Sequence, residues 1–104
     1  MPKIIVVNLV LKPLLGLRGQ KSHTLKLPSN SSTGYAWKRE ENCGPSIIST
    51  TNHYDQFPGP PGTGGEEVWV FTAIGKGKEI VKLVYAQTYD GDVQDELEIH
   101  FSVS

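Results

Sequence analysis

Three short segments are built from small polar residues, glycine and tyrosine in different proportions, and they are the residues whose types and spacing could do chemistry. They read NSSTGY at 30–35, GTGG at 62–65 and QTY at 87–89. Glycine lets a backbone approach another chain closely, hydroxyl groups offer hydrogen bonds, and tyrosine brings apolar area with few torsions to restrict. This composition favours binding to a partner surface.

Residues for catalysis or metal binding are not evident in the sequence. Ser32 and Thr33 do not fit a nucleophile elbow, and no partner base accompanies them. Cys43 is the only cysteine, so an intramolecular disulfide is excluded, and its position in ENCGPS beside two glutamates indicates a loop thiol. The three histidines lack metal-ligand spacing, and DGDVQDELE does not match a calcium loop. We therefore expect no enzymatic activity, no metal and no cofactor.

The composition is typical of one ordinary globular domain spanning 1–104. The net charge of −1 provides no basic field for nucleic acid, and no apolar run is long enough for insertion into a membrane. The opening MPKIIVVNLVLKPLLG could be a signal peptide, but Asn8, Lys12 and Pro13 interrupt it, so a first β-strand is favoured. Localisation stays open between the cytoplasm and, after removal of a signal peptide, an endolysosomal or secreted location. We expect a monomer.

Two-residue alternation and turn residues predict the architecture. In LEIHFSVS, the apolar side chains of 97, 99, 101 and 103 face one way, while EVWVFTAI and KEIVKLVYAQ are apolar on both faces, as central strands are. Trp37 and Trp69 are predicted core residues. The sequence predicts an all-β, immunoglobulin-like antiparallel β-sandwich or barrel of about seven to eight short strands. The predicted strands are 3–11, 20–28, 33–39, 46–51, 66–74, 78–87 and 96–103.

The connections between these strands differ in character. In an antiparallel sandwich alternate connections emerge at the same end, so the loops before 33–39, before 66–74 and after 78–87 should cluster. The segment 52–65, NHYDQFPGPPGTGG, has no apolar periodicity and is predicted to be a long loop, of the kind that is usually functional or disordered. A three-loop binding end is therefore expected.

Read in order, the three segments resemble the motifs of the chagasin-like inhibitors of papain-family cysteine peptidases. NSSTGYAW at 30–37 resembles the family's N-P-T-T-G-[FY]-x-W motif, and GTGG at 62–65 matches G-x-G-G. LVYAQTYDGD at 83–92 resembles the segment in which R-P-[WF] follows an L-x-Y strand. Order and spacing agree over roughly 20–104.

The resemblance implies a reversible, non-covalent inhibitor of papain-family (clan CA) cysteine peptidases, cathepsin L-type or similar, that blocks the active-site cleft with three loops. Thr33 and Gly34 would then lie over the catalytic Cys–His pair. The implied peptidase-binding residues are Asn30, Ser31, Ser32, Thr33, Gly34, Tyr35, Gly62, Thr63, Gly64, Gly65, Gln87, Thr88 and Tyr89.

Four positions depart from the family motifs. Ser31 and Ser32 stand where the family prefers proline and threonine. These changes reduce the rigidity of the loop more than they change its chemical groups. Gln87 and Thr88 replace the arginine and proline of the third motif, which removes a charged donor and a stiffening residue.

Two other classes of function are the alternatives. A β-sandwich binding or adhesion module could use the same loops for another protein or a carbohydrate; it predicts that Tyr54 and Phe57 matter and that no peptidase is inhibited. A small all-β hydrolase would need a nucleophile, a base and an orienting acid, and the sequence offers no such set.

Overall fold

Seven β-strands in two sheets make up the fold in a computed structural model that describes residues 2–12, 19–40, 45–88 and 91–104. The strands are β1 (Lys3–Leu9), β2 (Ser22–Ser29), β3 (Tyr35–Arg39), β4 (Ile48–Gln56), β5 (Gly65–Ala73), β6 (Gly77–Gln87) and β7 (Val93–Val103). One sheet has the order β1-β7-β6-β3 and the other β2-β5-β4. The all-β immunoglobulin-like sandwich is confirmed, and the opening residues form a strand as predicted. None of the described residues belongs to a helix that could cross a membrane.

Most of the strand pairs are antiparallel, with one exception. Strand β1 runs parallel to β7, with Ile5 opposite Ile99. Parallel neighbours need a long crossover rather than a tight turn, and here the whole of the chain between the first and last strands separates them.

Alternating side chains build the core between the two sheets. On β7 the four predicted inward residues are between 0% and 6% exposed. Phe71 from β5 and Phe101 from β7 meet across the interface with ring centroids 5.3 Å apart. Trp37 and Trp69 are 7% and 4% exposed, so their assignment to the core is confirmed. Each fully buried apolar side chain of this size contributes roughly 1.5–3 kcal/mol.

The two strands that are apolar on both faces occupy interior positions of their sheets, as predicted. Strand β5 lies between β2 and β4, and β6 lies between β7 and β3. Each of these strands is hydrogen-bonded on both sides, so the ends of the loops that connect to β5 and β6 are held in place by the sheets.

The prediction that 52–65 forms one long loop was partly wrong. Strand β4 continues to Gln56, with Asn52 opposite Trp69 and Tyr54 opposite Glu67 on β5. Only 57–64 remains as a connection. The reason is that β4 is an edge strand with mostly exposed side chains, so backbone pairing with β5 holds it in place without hydrophobic periodicity.

An ion pair closes the side of the sandwich away from the loops. Arg39 Nη2 lies 2.7 Å from Glu79 Oε2, and Arg39 Nη1 donates to the carbonyl of Ile48 at 2.9 Å. Ser46 Oγ also donates to Glu79. These contacts tie β3 and β6 of one sheet to the start of β4 in the other.

Candidate binding site

Three connections meet at one end of the sandwich, as the sequence predicted. We call 30–34 between β2 and β3 the first loop, 57–64 between β4 and β5 the second loop, and 88–92 between β6 and β7 the third loop. Asn30 Nδ2 donates to the carbonyl of Gly62 at 3.0 Å, which joins the first loop to the second. Thr88 N donates to the carbonyl of Gly34 at 3.1 Å, which joins the third to the first. Tyr89, a predicted contact residue in the third loop, lies outside the described residues.

The first loop is a short 3-10 turn, Ser31–Thr33, capped by Asn30. Asn30 Oδ1 accepts from Ser32 N at 3.1 Å and from Ser32 Oγ at 2.6 Å. Thr33 returns two hydrogen bonds to the Asn30 carbonyl, from its amide at 3.1 Å and its hydroxyl at 2.7 Å. A side-chain cap of this kind stabilises a turn by roughly 1 kcal/mol. The three residues of the turn are nevertheless exposed to solvent.

Gly34 ends the turn at a position where only glycine fits easily. Its φ of 80° lies in the left-handed region, and a β-carbon there would be 2.8 Å from Gln87 Oε1. Gln87 Nε2 donates to the carbonyl of Thr33 at 3.3 Å. Gln87 therefore packs against the glycine and holds the turn from the side of the third loop.

An aromatic group supports the first loop from below. Tyr85 lies between Tyr35 and Trp37, with ring centroids 5.5 Å and 5.2 Å away. The Tyr85 hydroxyl accepts from Asn30 N at 3.1 Å. The Tyr35 hydroxyl donates to Asp92 Oδ2 at 2.6 Å, and this hydrogen bond is the main cause of a raised Tyr35 pKa. Both tyrosines thus connect the sheet to the loops.

The buried carboxylate of Glu67 was not identified from the sequence. It is 5% exposed and accepts from Ser29 Oγ at 2.8 Å, from Trp37 N at 3.0 Å and from Trp69 Nε1 at 3.3 Å. The sequence signal was a pair of adjacent glutamates, Glu66 and Glu67, at the start of an apolar strand. Its three donors come from β2, β3 and β5, so Glu67 joins the two sheets directly below the first loop.

The second loop has its own internal hydrogen bonds. Phe57 N donates to the carbonyl of Gly64 at 2.9 Å, and Thr63 donates to the Pro60 carbonyl from its amide at 3.2 Å and its hydroxyl at 2.6 Å. Gly65, a predicted contact residue, is buried at the start of β5, where a β-carbon would collide with the backbone of β4. Close pairing with β4 therefore explains why this position is a glycine.

An open cleft of about 530 Å³ lies between the first and second loops. Trp37, Tyr85 and Phe57 line it with aromatic side chains, and Asp95 lines it as well. Phe57 is 46% exposed, whereas Tyr54 is half-buried in β4. Within the described ranges, no group of three or more histidine, cysteine or acidic residues could hold a metal ion. Cys43 falls outside those ranges.

Comparison with known proteins gives a consistent picture. The model of the chagasin family peptidase inhibitor I42 matches residues 17–103. The solution structure of amebosin is similar, with a TM-score of 0.67 and 21% identity over 100% of both chains. The crystal structure of the cysteine protease inhibitor EhICP2 from Entamoeba histolytica has a TM-score of 0.70 and 17% identity, covering 98% of this chain and 95% of that one. No curated protein matches.

Proposed function

The chain belongs to the chagasin family of peptidase inhibitors, and we propose that it inhibits papain-family cysteine peptidases reversibly by placing its three loops in the active-site cleft. It is accordingly an inhibitor of proteases rather than an enzyme.

One observation carries the proposal: the three loops lie at one end and hydrogen bonds join them to each other. The bonds from Asn30 to Gly62 and from Thr88 to Gly34 connect neighbouring loops. Loops that are ordered before binding lose less conformational entropy on association. A thin tip of small residues on a rigid sandwich suits a narrow cleft between two walls.

Exposure divides the predicted contact residues into two groups. The exposed ones, which we assign to contact with the peptidase, are Ser31, Ser32, Thr33, Gly62, Thr63 and Thr88. The half-buried or buried ones, which we assign to holding the loops in position, are Asn30, Gly34, Tyr35, Gly64, Gly65 and Gln87.

The conformation of the tip explains why the inhibitor would not be cleaved. Thr33 N and Gly34 N donate within the turn, to the carbonyls of Asn30 and Ser31. Peptide cleavage requires a scissile bond held in attack geometry. A closed turn that keeps its own hydrogen bonds does not present the backbone in that way.

The test is a titration of papain and a cathepsin L-type enzyme with the purified protein, following hydrolysis of a fluorogenic peptide. We expect stoichiometric, reversible loss of activity, with the inhibitor recovered intact. Ser31→Trp should weaken inhibition by about 30-fold, the effect of losing a hot spot of about 2 kcal/mol. Lys76→Trp is the matched control, because Lys76 is exposed in the hairpin at the other end, and it should inhibit like the wild type.

Two results would count against the proposal in different ways. Equal inhibition by Ser31→Trp and the wild type would refute the role of the first loop while leaving the family activity intact. No inhibition of either enzyme by the wild type would refute the choice of target. A binding module for another protein or a carbohydrate would then be favoured by the exposed Phe57 beside the cleft.

A further inference from the structure

Acidic side chains surround the loop end of the sandwich. None of the ten lysines and arginines lies within 27–37, 54–67 or 85–96, the segments that build this end. The same segments contain four acidic residues that are described and exposed: Asp55, Asp92, Asp95 and Glu96.

The opposite end carries the opposite charge. Exposed lysines lie before β2 and around the hairpin between β5 and β6: Lys12, Lys21, Lys76 and Lys78. Glu79 lies nearby but is paired with Arg39 at 2.7 Å. The net charge of −1 therefore conceals a separation of charge along a molecule that extends 46 Å.

Three lysines reduce this separation without cancelling it. Lys3 and Lys26 line a groove that Asp95 and Glu96 also line, and the exposed Lys38 lines a groove with Thr88 of the third loop. Lys26 lies 3.9 Å from Glu66, a half-buried acid that is not one of the four exposed ones. Lys3 begins β1 opposite Leu97, below the cleft, and has no ion pair with an acid of the described ranges. His53 lies 3.4 Å from Asp55 and offsets that acid when protonated.

We propose that the peptidase to which this inhibitor is fitted carries lysine and arginine side chains around the rim of its active-site cleft. The inference rests on the proposed function, because insertion of the three loops would bring the surrounding acids to that rim. Asp95 lies beside both the first and the second loop, because it lines the cleft between them. Opposite charges that face each other across an interface select partners and accelerate association.

The charge separation acts mainly on the rate of encounter. Because the two ends of the inhibitor carry opposite charge, the positive potential of such a peptidase would orient the molecule with its loops towards the active-site cleft. Electrostatic steering of this kind can raise association rates by roughly 10- to 1,000-fold. Salt suppresses the effect, because the Debye length falls from about 30 Å at 0.01 M to about 8 Å at 0.15 M ionic strength. A strong dependence of association on salt is therefore the expected signature.

The experiment compares two papain-family peptidases of known structure, one with a cationic and one with an anionic cleft rim. Association rates are measured from the decay of peptidase activity after mixing, at ionic strengths of about 0.01 M and about 0.15 M. We expect association with the cationic-rim enzyme to be at least about tenfold faster at the lower ionic strength, and most of this advantage to be lost at the higher one.

Two double variants with equal net charge locate the effect. Asp55→Asn with Asp95→Asn, and Glu40→Gln with Glu98→Gln, each change the net charge from −1 to +1 (−1 + 2). The first pair removes two charges near the loop ends of β4 and β7, whereas Glu40 and Glu98 lie lower on the outer side of the four-stranded sheet. For the cationic-rim enzyme at the lower ionic strength, the first variant should associate about fivefold more slowly, which corresponds to about 1 kcal/mol of lost attraction summed over the two charges, and the second should match the wild type.

The failures of the two proposals can be distinguished. Equal association with both enzymes, or a first variant that keeps the salt dependence of the wild type, would overturn the inference about rim charge and leave the proposed function standing. No inhibition of either enzyme by the wild type at any ionic strength would overturn both.

Discussion

Replacing Glu67 with alanine should destabilise the protein far more than the same change at its neighbour Glu66. The Glu67 carboxylate is 5% exposed and accepts three hydrogen bonds, two of them from the Trp37 amide and the Trp69 indole. Alanine removes the acceptor without supplying another, and water has little access to the site. Both donors would then be buried without a partner.

The magnitude follows from those two donors. A buried donor left unsatisfied costs about 1–3 kcal/mol, so Glu67→Ala should lower the free energy of unfolding by about 4 kcal/mol. Glu67→Gln should cost less, about 1–2 kcal/mol, because its carbonyl oxygen can keep the bonds to Ser29 and Trp37 while its amide faces the Trp69 donor. In the control Glu66→Ala only an ion pair at 3.9 Å is lost, between side chains 26% and 63% exposed, and such pairs contribute below about 1 kcal/mol.

Urea unfolding followed by tryptophan fluorescence measures these differences, because Trp37 and Trp69 adjoin the substituted position. The urea concentration at the unfolding midpoint should be highest for Glu66→Ala, lower for Glu67→Gln and lowest for Glu67→Ala, and the m value should not change. If Glu67→Ala and Glu66→Ala differ by less than about 1 kcal/mol, water or local rearrangement satisfies the two donors, and the structural role assigned to Glu67 is wrong.

Three further predictions concern the loops. Asp92→Asn should bring the pKa of Tyr35 down towards 10.0, because the hydrogen bond to Asp92 is the main cause of its elevation. Phenolate absorbance against pH measures this pKa, and an unchanged titration would contradict the role of Asp92. Gly34→Ala should lower the free energy of unfolding by about 1–3 kcal/mol, because φ at this residue is 80°. Adding Gln87→Ala should restore the part of this loss that comes from the collision of the new β-carbon with Gln87 Oε1. If the effects of the two substitutions on urea unfolding are strictly additive, that collision does not contribute. Asn30→Asp keeps the acceptor that caps the turn but loses the donor to the second loop, so peptidase inhibition should weaken by about fivefold, equivalent to about 1 kcal/mol; unimpaired inhibition would refute the need for that link.

Most of the fold could be predicted because its signals are local. The alternation in β7 and the doubly apolar patterns of β5 and β6 are properties of the residues themselves. Strand β4 was only half recovered, since its last residues carry no apolar pattern and are held by pairing with β5. A strand fixed by a neighbour in this way cannot be identified from its own composition.

The candidate site was predictable in outline and not in detail. Connectivity alone indicated that the three loops share one end. The contacts that join them, such as that between Asn30 and Gly62, link residues 32 positions apart in the sequence. Glu67 was missed for a related reason: of two adjacent glutamates at the start of an apolar strand, only the donors on β2 and β3 show which one is buried.

The three loops differ in how their ends are held, and this explains the position of Glu67. The second loop connects β4 and β5, which pair up to Gln56 and Gly65, and the third connects β6 and β7, which pair up to Ala86 and Val93. The first loop instead connects β2 in one sheet to β3 in the other, so no ladder of backbone hydrogen bonds closes it. Glu67 performs that task by binding Ser29 at the end of β2 and Trp37 in β3 through a single oxygen. A hydrogen bond from Trp37 Nε1 to the Pro28 carbonyl at 3.1 Å also joins these two stems. The spacing of the stems, and with it the shape of the tip, therefore depends on this buried carboxylate together with the Trp37 indole.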